Sequence, residues 1–230
     1  MLSRLLKAIE LNRTGEAEEL LTSYPSLAME LTTAPELYEA DFIHWLYKGD
    51  TALHLAAAAA RDQVVKLLLK AGANPNASGN HRRSRPLHYA ADGIPDLPAF
   101  DGGKQVATVK LLLDFGAEID AQDKNGATAL HRAVRARCAD AVRFLLNRGC
   151  NPIIRNKSGS TPFHLAVQNT GRGGTGKKNA ISGQHSIIEA FLEKGLSPNC
   201  RDAQGKTVIE SAKSTWIREL LLDFKHQHRS

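Results

Sequence analysis

The sequence predicts an all-α fold of stacked helix–turn–helix units, and three observations predict it. A block T-x-L-H or a near relative recurs at Thr51-Ala52-Leu53-His54, Arg85-Pro86-Leu87-His88, Thr128-Ala129-Leu130-His131 and Thr161-Pro162-Phe163-His164, with a worn fifth copy at Thr207-Val208-Ile209-Glu210. The block starts lie 34, 43, 33 and 46 residues apart, so the base period is 33 and two copies carry extra residues. Each block opens a short apolar stretch, a second apolar stretch follows, and Gly72, Gly116, Gly149 or Gly195 closes the unit. A fixed period of this size means a repeat array, in which each unit buries its apolar face only against its neighbours.

Residues 1–50 come first and fit the period poorly. Leu2, Leu5, Leu6 and Ile9 share one helical face, continued by Leu20 and Leu21, so residues 3–12 and 16–22 are expected to form a degenerate capping helix pair. Pro25 and Pro35 break helices. Phe42, Ile43, Trp45, Leu46 and Tyr47 are too apolar to stay in water, which predicts an irregular extension packed on the first full unit. The full units are 51–84, 85–127, 128–160 and 161–206. In each, a Thr hydroxyl can satisfy an orphan backbone N–H at the helix start. The second helix is expected over 64–69, 109–113, 142–146 and 187–192, and the closing Gly supplies left-handed φ. The second unit departs from the rest: Arg85 replaces the capping Thr and Arg83 the turn Gly. Ser84 is expected to cap instead, and this loop to be the least regular. The extra residues fall between first and second helices, at 92–105 and 169–183. Residues 207–222 read as a C-terminal cap with a shortened second helix over 217–222, and 223–230 as a polar tail.

These units resemble the ankyrin repeat, whose signature is T-P-L-H-x-A followed by a second helix. The preceding loops Asp123-Lys124-Asn125-Gly126-Ala127-Thr128, Asn156-Lys157-Ser158-Gly159-Ser160-Thr161 and Asp202-Ala203-Gln204-Gly205-Lys206-Thr207 are similar to the β-turn fingers of that family. The resemblance covers residues 51–222 and implies an ankyrin-repeat solenoid with hairpin finger loops. It also implies a non-enzymatic protein-binding module, whose partner meets the finger tips and the inner, first-helix face. Carried over, the partner-binding positions are Tyr47 and Lys48, then His81, Arg82 and Arg83, then Lys124 and Asn125, then Lys157 and Ser158, then Gln204 and Lys206. Arg135 and Gln168 join them from the inner helices, where Ala58 and Ala59 are also expected to be exposed. Thr51, Thr128 and Thr161 with His54, His88, His131 and His164 take structural roles, the histidines through hydrogen bonds to backbone in neighbouring loops. The stretch 165–174 resembles one in bacterial-type ankyrin proteins and brings no activity with it.

Charge sharpens the expectation. The net charge is +6. Residues 1–50 hold nine acidic and four basic side chains, a balance of −5, so the remainder carries +11. Every finger places a cation at or beside its tip, and stacking at about 10 Å per layer makes these a row. That row suits an acidic partner surface, since clustered charge steers association. The alternative is a polyanion or nucleic acid on the same row. Few aromatics are available for base stacking, which argues against single strands.

Other chemistry is weakly signalled. Gly171-x4-Gly176-Lys177 is followed by Lys178, not Ser or Thr, and the preceding segment is a repeat helix. A phosphate loop is therefore not expected, although Arg172, Lys177 and Lys178 could hold an anion. The two inserts have opposite charge and could touch across the intervening unit. The histidines recur once per repeat, about 10 Å apart, too far for shared metal ligation. Arg132, Arg135, Arg137, Arg143 and Arg148 are expected on a solvated face. Three scattered Cys with no C-x-x-C pair suggest reduced thiols in the cytoplasm. No apolar run reaches ~18 residues, so no membrane span is expected. No cofactor and no metal are expected, and the chain is expected to be a monomer.

Overall fold

The structure, a computed structural model, describes residues 1–168 and 178–227. Twelve helices are described: α1 (Leu2–Glu10), α2 (Thr14–Ser23), α3 (Ala52–Ala58), α4 (Asp62–Lys70), α5 (Pro86–Ala91), α6 (Gly102–Asp114), α7 (Ala129–Ala136), α8 (Ala139–Asn147), α9 (Pro162–Ala166), α10 (Lys178–Glu193), α11 (Val208–Ser211) and α12 (Thr215–Gln227). They form two ranks. Odd-numbered helices α1 to α11 pack consecutively as an inner rank, and α2, α4, α6, α8 and α10 as an outer rank. Leu53, Leu87, Leu130 and Phe163, the third residue of each block, are fully buried between layers. Their equivalence is what makes the core continuous.

The ends differ from expectation in two ways. Helix α12 is not shortened. It runs to Gln227, into the expected tail, with Ile217 and Leu221 buried. At the other end, residues 25–50 are not irregular. After a 3-10 turn (Pro25–Ala28), β1 (Glu36–Glu39) and β2 (Ile43–Leu46) pair antiparallel, with Leu37 opposite Trp45 and Tyr38 opposite His44. Alternation then assigns faces. Tyr38 and Leu46 are buried, whereas Ile43 and Trp45 are 43% and 47% exposed, against the expectation that all the apolar residues here leave water.

The inserts are also shorter than their extra residues suggest. Asp101 caps α6, its Oδ1 accepting from the Lys104 N–H at 3.0 Å, so 102–105 lengthen an outer helix. Likewise α10 begins at Lys178. The described parts of the two inserts face each other across a groove of about 240 Å³, lined by Pro95, Phe100, Ser182 and Gly183 and floored by the 137–140 turn. The oppositely charged contact falls on 169–177, outside the described residues.

Candidate partner-binding site

The inner rank and the fingers are held in register by the histidines. In the first three units the Nδ1 of His54, His88 and His131 accepts the backbone N–H of the capping residue Thr51, Arg85 or Thr128, at 3.0, 3.1 and 3.2 Å. An acceptor at Nδ1 puts the ring proton on Nε2. That Nε2 donates across the layer to the residue just before the next cap: Ser84 O (3.2 Å), Ala127 O (3.0 Å) and Ser160 O (3.2 Å), with His164 donating to Lys206 O at 3.0 Å. One neutral imidazole thus caps its own helix and staples the next finger. In the fifth unit Glu210 Oε2 accepts the Thr207 N–H at 2.7 Å. The capping role survives there. Burial holds all four histidines below their ordinary pKa, His131 at about 4 and His88, with help from the Arg132 charge, also at about 4.

The fingers share one turn. The Oδ1 of Asn80, Asp123, Asn156 and Asp202 each accepts two backbone N–H groups, two and four residues on. Successive tips are joined by main-chain bonds: Lys124 N to Arg82 O (2.8 Å), Lys157 N to Asn125 O (2.9 Å) and Ala203 N to Gly159 O (3.0 Å). The second finger keeps this turn, so it is not the irregular one. Arg83 adopts φ +52° where Gly126 and Gly159 have +73° and +82°. Arg85, not Ser84, occupies its N-cap, and Ser84 is buried. A side chain at left-handed φ costs roughly 1 kcal/mol. Arg83→Gly is therefore expected to raise the urea midpoint by an amount equivalent to about 1 kcal/mol; an unchanged or lower midpoint would show the turn is unstrained.

The partner positions separate into three groups. Lys48, His81, Arg83, Lys124, Asn125, Lys157, Ser158, Gln204 and Lys206 are exposed along the stacked tips. Tyr47 and Arg82 are half-buried against each other: the guanidinium lies 5.1 Å from the ring centroid and donates to the Tyr47 hydroxyl at 2.9 Å. Arg135 is half exposed and donates to Asp92 at 3.1 Å; Gln168 is half-buried. Arg172 and Lys177 lie outside the described residues, as does the side chain of Lys178.

Two corrections concern the inner face. Arg132 is not solvated: it is 5% exposed and bonds Asp123 at 2.5 Å and Asp92 at 3.1 Å. Burial raises both carboxylates, but their arginine partners outweigh it and hold Asp92 and Asp123 below the usual range. Arg143 and Arg148, by contrast, stay at the surface as expected and pair there with Glu193 and Asp114. The second correction is the β1–β2 hairpin, which stands where an irregular extension is expected. It folds back over the inner face of the first units. Its tip is pinned by Arg61, which pairs with Asp41, stacks on Phe42 and donates to Ile9 O and Glu10 O. Midway, His44 packs on Tyr89 with ring centroids 4.7 Å apart. At the base, buried Asp50 accepts from the Tyr47 N–H (2.7 Å), Asn80 Nδ2 (2.6 Å) and the Tyr89 hydroxyl (2.6 Å). Ala59 is therefore buried and Ala58 half-buried, so neither is the open contact expected of it.

Among the described residues, no group of three His, Cys, Asp or Glu could hold a metal ion, and no helix is long and apolar enough to cross a membrane. The three cysteines are unbridged, and burial pushes Cys138 up to about 11 and Cys150 up to about 12.

Comparison with known proteins places this geometry. Residues 48–80 match the ankyrin repeat model, and residues 99–176 match the model of three ankyrin repeat copies. The human transient receptor potential cation channel subfamily A member 1 is 39% identical over 64% of this chain and 11% of its own length. The E3 ubiquitin-protein ligase KEG of Arabidopsis thaliana is 34% identical over 49% of this chain and 6% of its own. The mouse ankyrin repeat and SOCS box protein 6 is 35% identical over 56% and 26%. The chain thus spans at most about a quarter of the length of these relatives.

Proposed function

Starting from the premise that this chain carries ankyrin repeats, we propose that it is a non-enzymatic ankyrin solenoid that binds another protein along its finger tips and inner face. Ankyrin repeats generally mediate protein–protein interaction. The observation that carries the finer reading is the stacked, main-chain-linked row of fingers, which holds Arg83, Lys124, Lys157 and Lys206 exposed on a rigid support. A preorganised row loses little entropy when it binds. Its chemistry suits an acidic partner surface. The hairpin covers the inner face of the first units, so the open surface is that of the third and fourth, around Arg135 and Gln168. At its covered end the hairpin offers Trp45, Ile43 and Leu37 on one side, the kind of aromatic anchor that dominates interfaces. We place the protein in a reducing compartment such as the cytoplasm, in keeping with its unbridged thiols.

The same cations would also attract a polyanion, and one titration separates the two. An oligoglutamate peptide and a DNA duplex of equal charge are titrated at two salt concentrations. The proposal expects the peptide to bind and Lys124→Glu/Lys157→Glu to weaken it by about tenfold or more, on the order of 1 kcal/mol per charge reversed. Tight, steeply salt-dependent DNA binding without peptide binding would establish the polyanion reading instead.

A further inference from the structure

We propose that the free edge of β2 takes up an extended segment of a protein partner, which pairs with it as a third strand and presents apolar and acidic residues in alternation. This deepens the reading of the inner face as a protein-binding surface, and rests on it. The ladder shows which groups are free. Across the hairpin tip the Ala40 N–H donates to Phe42 O at 3.1 Å. The hydrogen-bonded pairs run on from there at every second residue, as Tyr38 with His44 and Glu36 with Leu46. Ile43 and Trp45 therefore turn their main-chain groups away from β1. Tyr47, next in the same alternation, agrees: its N–H donates to the Asp50 carboxylate at 2.7 Å. His44 Nδ1 donates to Trp45 O at 2.8 Å. The Ile43 N–H, the Ile43 carbonyl and the Trp45 N–H have no partner among the described residues. Unpaired edge groups of this kind are a template for another strand.

The seat of the hairpin decides which way this edge faces. Tyr38 of β1 lies near Glu10 of α1, whereas β2 contacts α3 and sends His44 onto Tyr89 of α5. The β1 edge thus looks towards the N-terminal end of the stack, and the β2 edge towards the inner face of the third unit. Beside Phe42, Ile43 and His44 lies an open cleft, with Asp92, Gly93, Ile94 and Phe100 on its far side, so no described residue covers the edge there. Alternation then sets the chemistry of the partner. On the outer face an added strand would lie beside Ile43 and Trp45, 43% and 47% exposed, which suit apolar cross-strand neighbours. On the inner face it would look down on α7. There Arg135 donates through one nitrogen to Asp92 and keeps half of its side chain in water, which suits a carboxylate. The finger row lies apart from this edge.

The test is amide hydrogen exchange of the full chain, read by NMR, with a synthetic peptide of alternating valine and glutamate. We expect the peptide to slow exchange at Ile43 and Trp45 and to leave Leu37 and Glu39, on the opposite edge, unchanged. Only every second N–H of an added strand points at β2. The peptide N-methylated at one set of alternate residues should therefore bind about tenfold more weakly, the factor of one or two main-chain hydrogen bonds, and the peptide methylated at the other set should bind as before. Trp45→Pro removes an edge N–H that the hairpin does not use, and should weaken binding about tenfold more than Trp45→Val, which keeps it. The N-methylated pair makes the same test on the wild type if the proline variant folds poorly. Lys124→Glu/Lys157→Glu should leave the slowing in place, so the finger reading can fail without this one. Peptide shifts confined to Lys124 and Lys157 would keep the finger reading and overturn the edge. So would equal affinity of the two N-methylated peptides, or slowing at Leu37 and Glu39 instead. Slowing that grows with protein concentration in the absence of peptide would place a second copy on the edge, and would overturn the proposal too.

Discussion

Arg132→Ala is expected to lower folding stability by about 3–5 kcal/mol, the range for removing one partner of a buried ion pair. The loss arises because Asp123 remains fully buried without the charge that compensates it, while half-buried Asp92 keeps only the exposed Arg135. Arg132 stands where the other units carry Leu55, Tyr89 and Leu165, immediately after the block histidine. Restoring the apolar residue alone, as Arg132→Leu, is therefore not expected to rescue the protein. Combining Arg132→Leu with Asp123→Asn and Asp92→Ala should recover most of the loss, since Asn80 and Asn156 make the same finger turn without a charge. Urea unfolding of the three variants reads this directly. A loss below about 1 kcal/mol for Arg132→Ala, the scale of an exposed pair, would mean that the triad is hydrated and carries little.

The second large effect is acid sensitivity from the histidine staples. Each ring is a neutral group whose folded pKa lies below its unfolded value near 6.5. Above pH 6.5 both states are neutral and the staples contribute in full. As pH falls from 6.5 towards about 4, the unfolded chain takes up protons that the folded chain refuses, so stability falls with acidification. For His88 and His131 the loss is on the order of 3 kcal/mol each by pH 4, at about 1.4 kcal/mol per unit. His54 and His164 add to it in the same direction. Protonation also destroys the acceptor that caps the helix, so the cap and the inter-layer bond fail together. The carboxylates of the Arg132 triad act in a separate window. Their lowered pKa values make them lose their contribution only as pH falls below the ordinary aspartate range. The urea midpoint should therefore begin to drop between pH 6.5 and 5, before any aspartate titrates. A midpoint that stays flat down to pH 5 would show that the rings accept a second proton without cost.

The repeat architecture was legible because its signal is redundant. Five blocks, four closing glycines and three regular finger loops all report one base period with two insertions, and an error in one unit is corrected by the others. Arg83 shows the limit of reading one residue at a time. The missing Gly suggested an irregular finger, but Asn80 and the bond from Lys124 N to Arg82 O hold the turn, and the arginine absorbs the strain. Arg132 was legible in principle, because an arginine at an apolar repeat position requires a buried carboxylate. Its partners lie 9 and 40 residues away, and only the stacking brings them together.

The hairpin was harder to read. Glu36–Glu39 and Ile43–Leu46 are each four residues, below the length at which alternation stands out, and Phe42 to Tyr47 read as one apolar run. The usable signal was two β-prone stretches three residues apart, a hairpin spacing. Its consequence for the site is substantial. It closes the inner face of the first units, creates the cleft against Phe100, and leaves Trp45 and Ile43 in water. The exposed tips were legible as cations, but their rigidity comes from backbone bonds between fingers that no side-chain pattern reveals.

The central claim is that the stacked cationic fingers hold a protein partner. The most direct test is a pull-down from lysate with the wild type beside an Arg82→Glu/Lys124→Glu/Lys157→Glu variant, after circular dichroism has shown both to be folded, with the bound proteins identified by mass spectrometry. An acidic protein is expected to be retained by the wild type and lost by the variant, with recovery falling as salt is raised. The same partner held equally by both would contradict it.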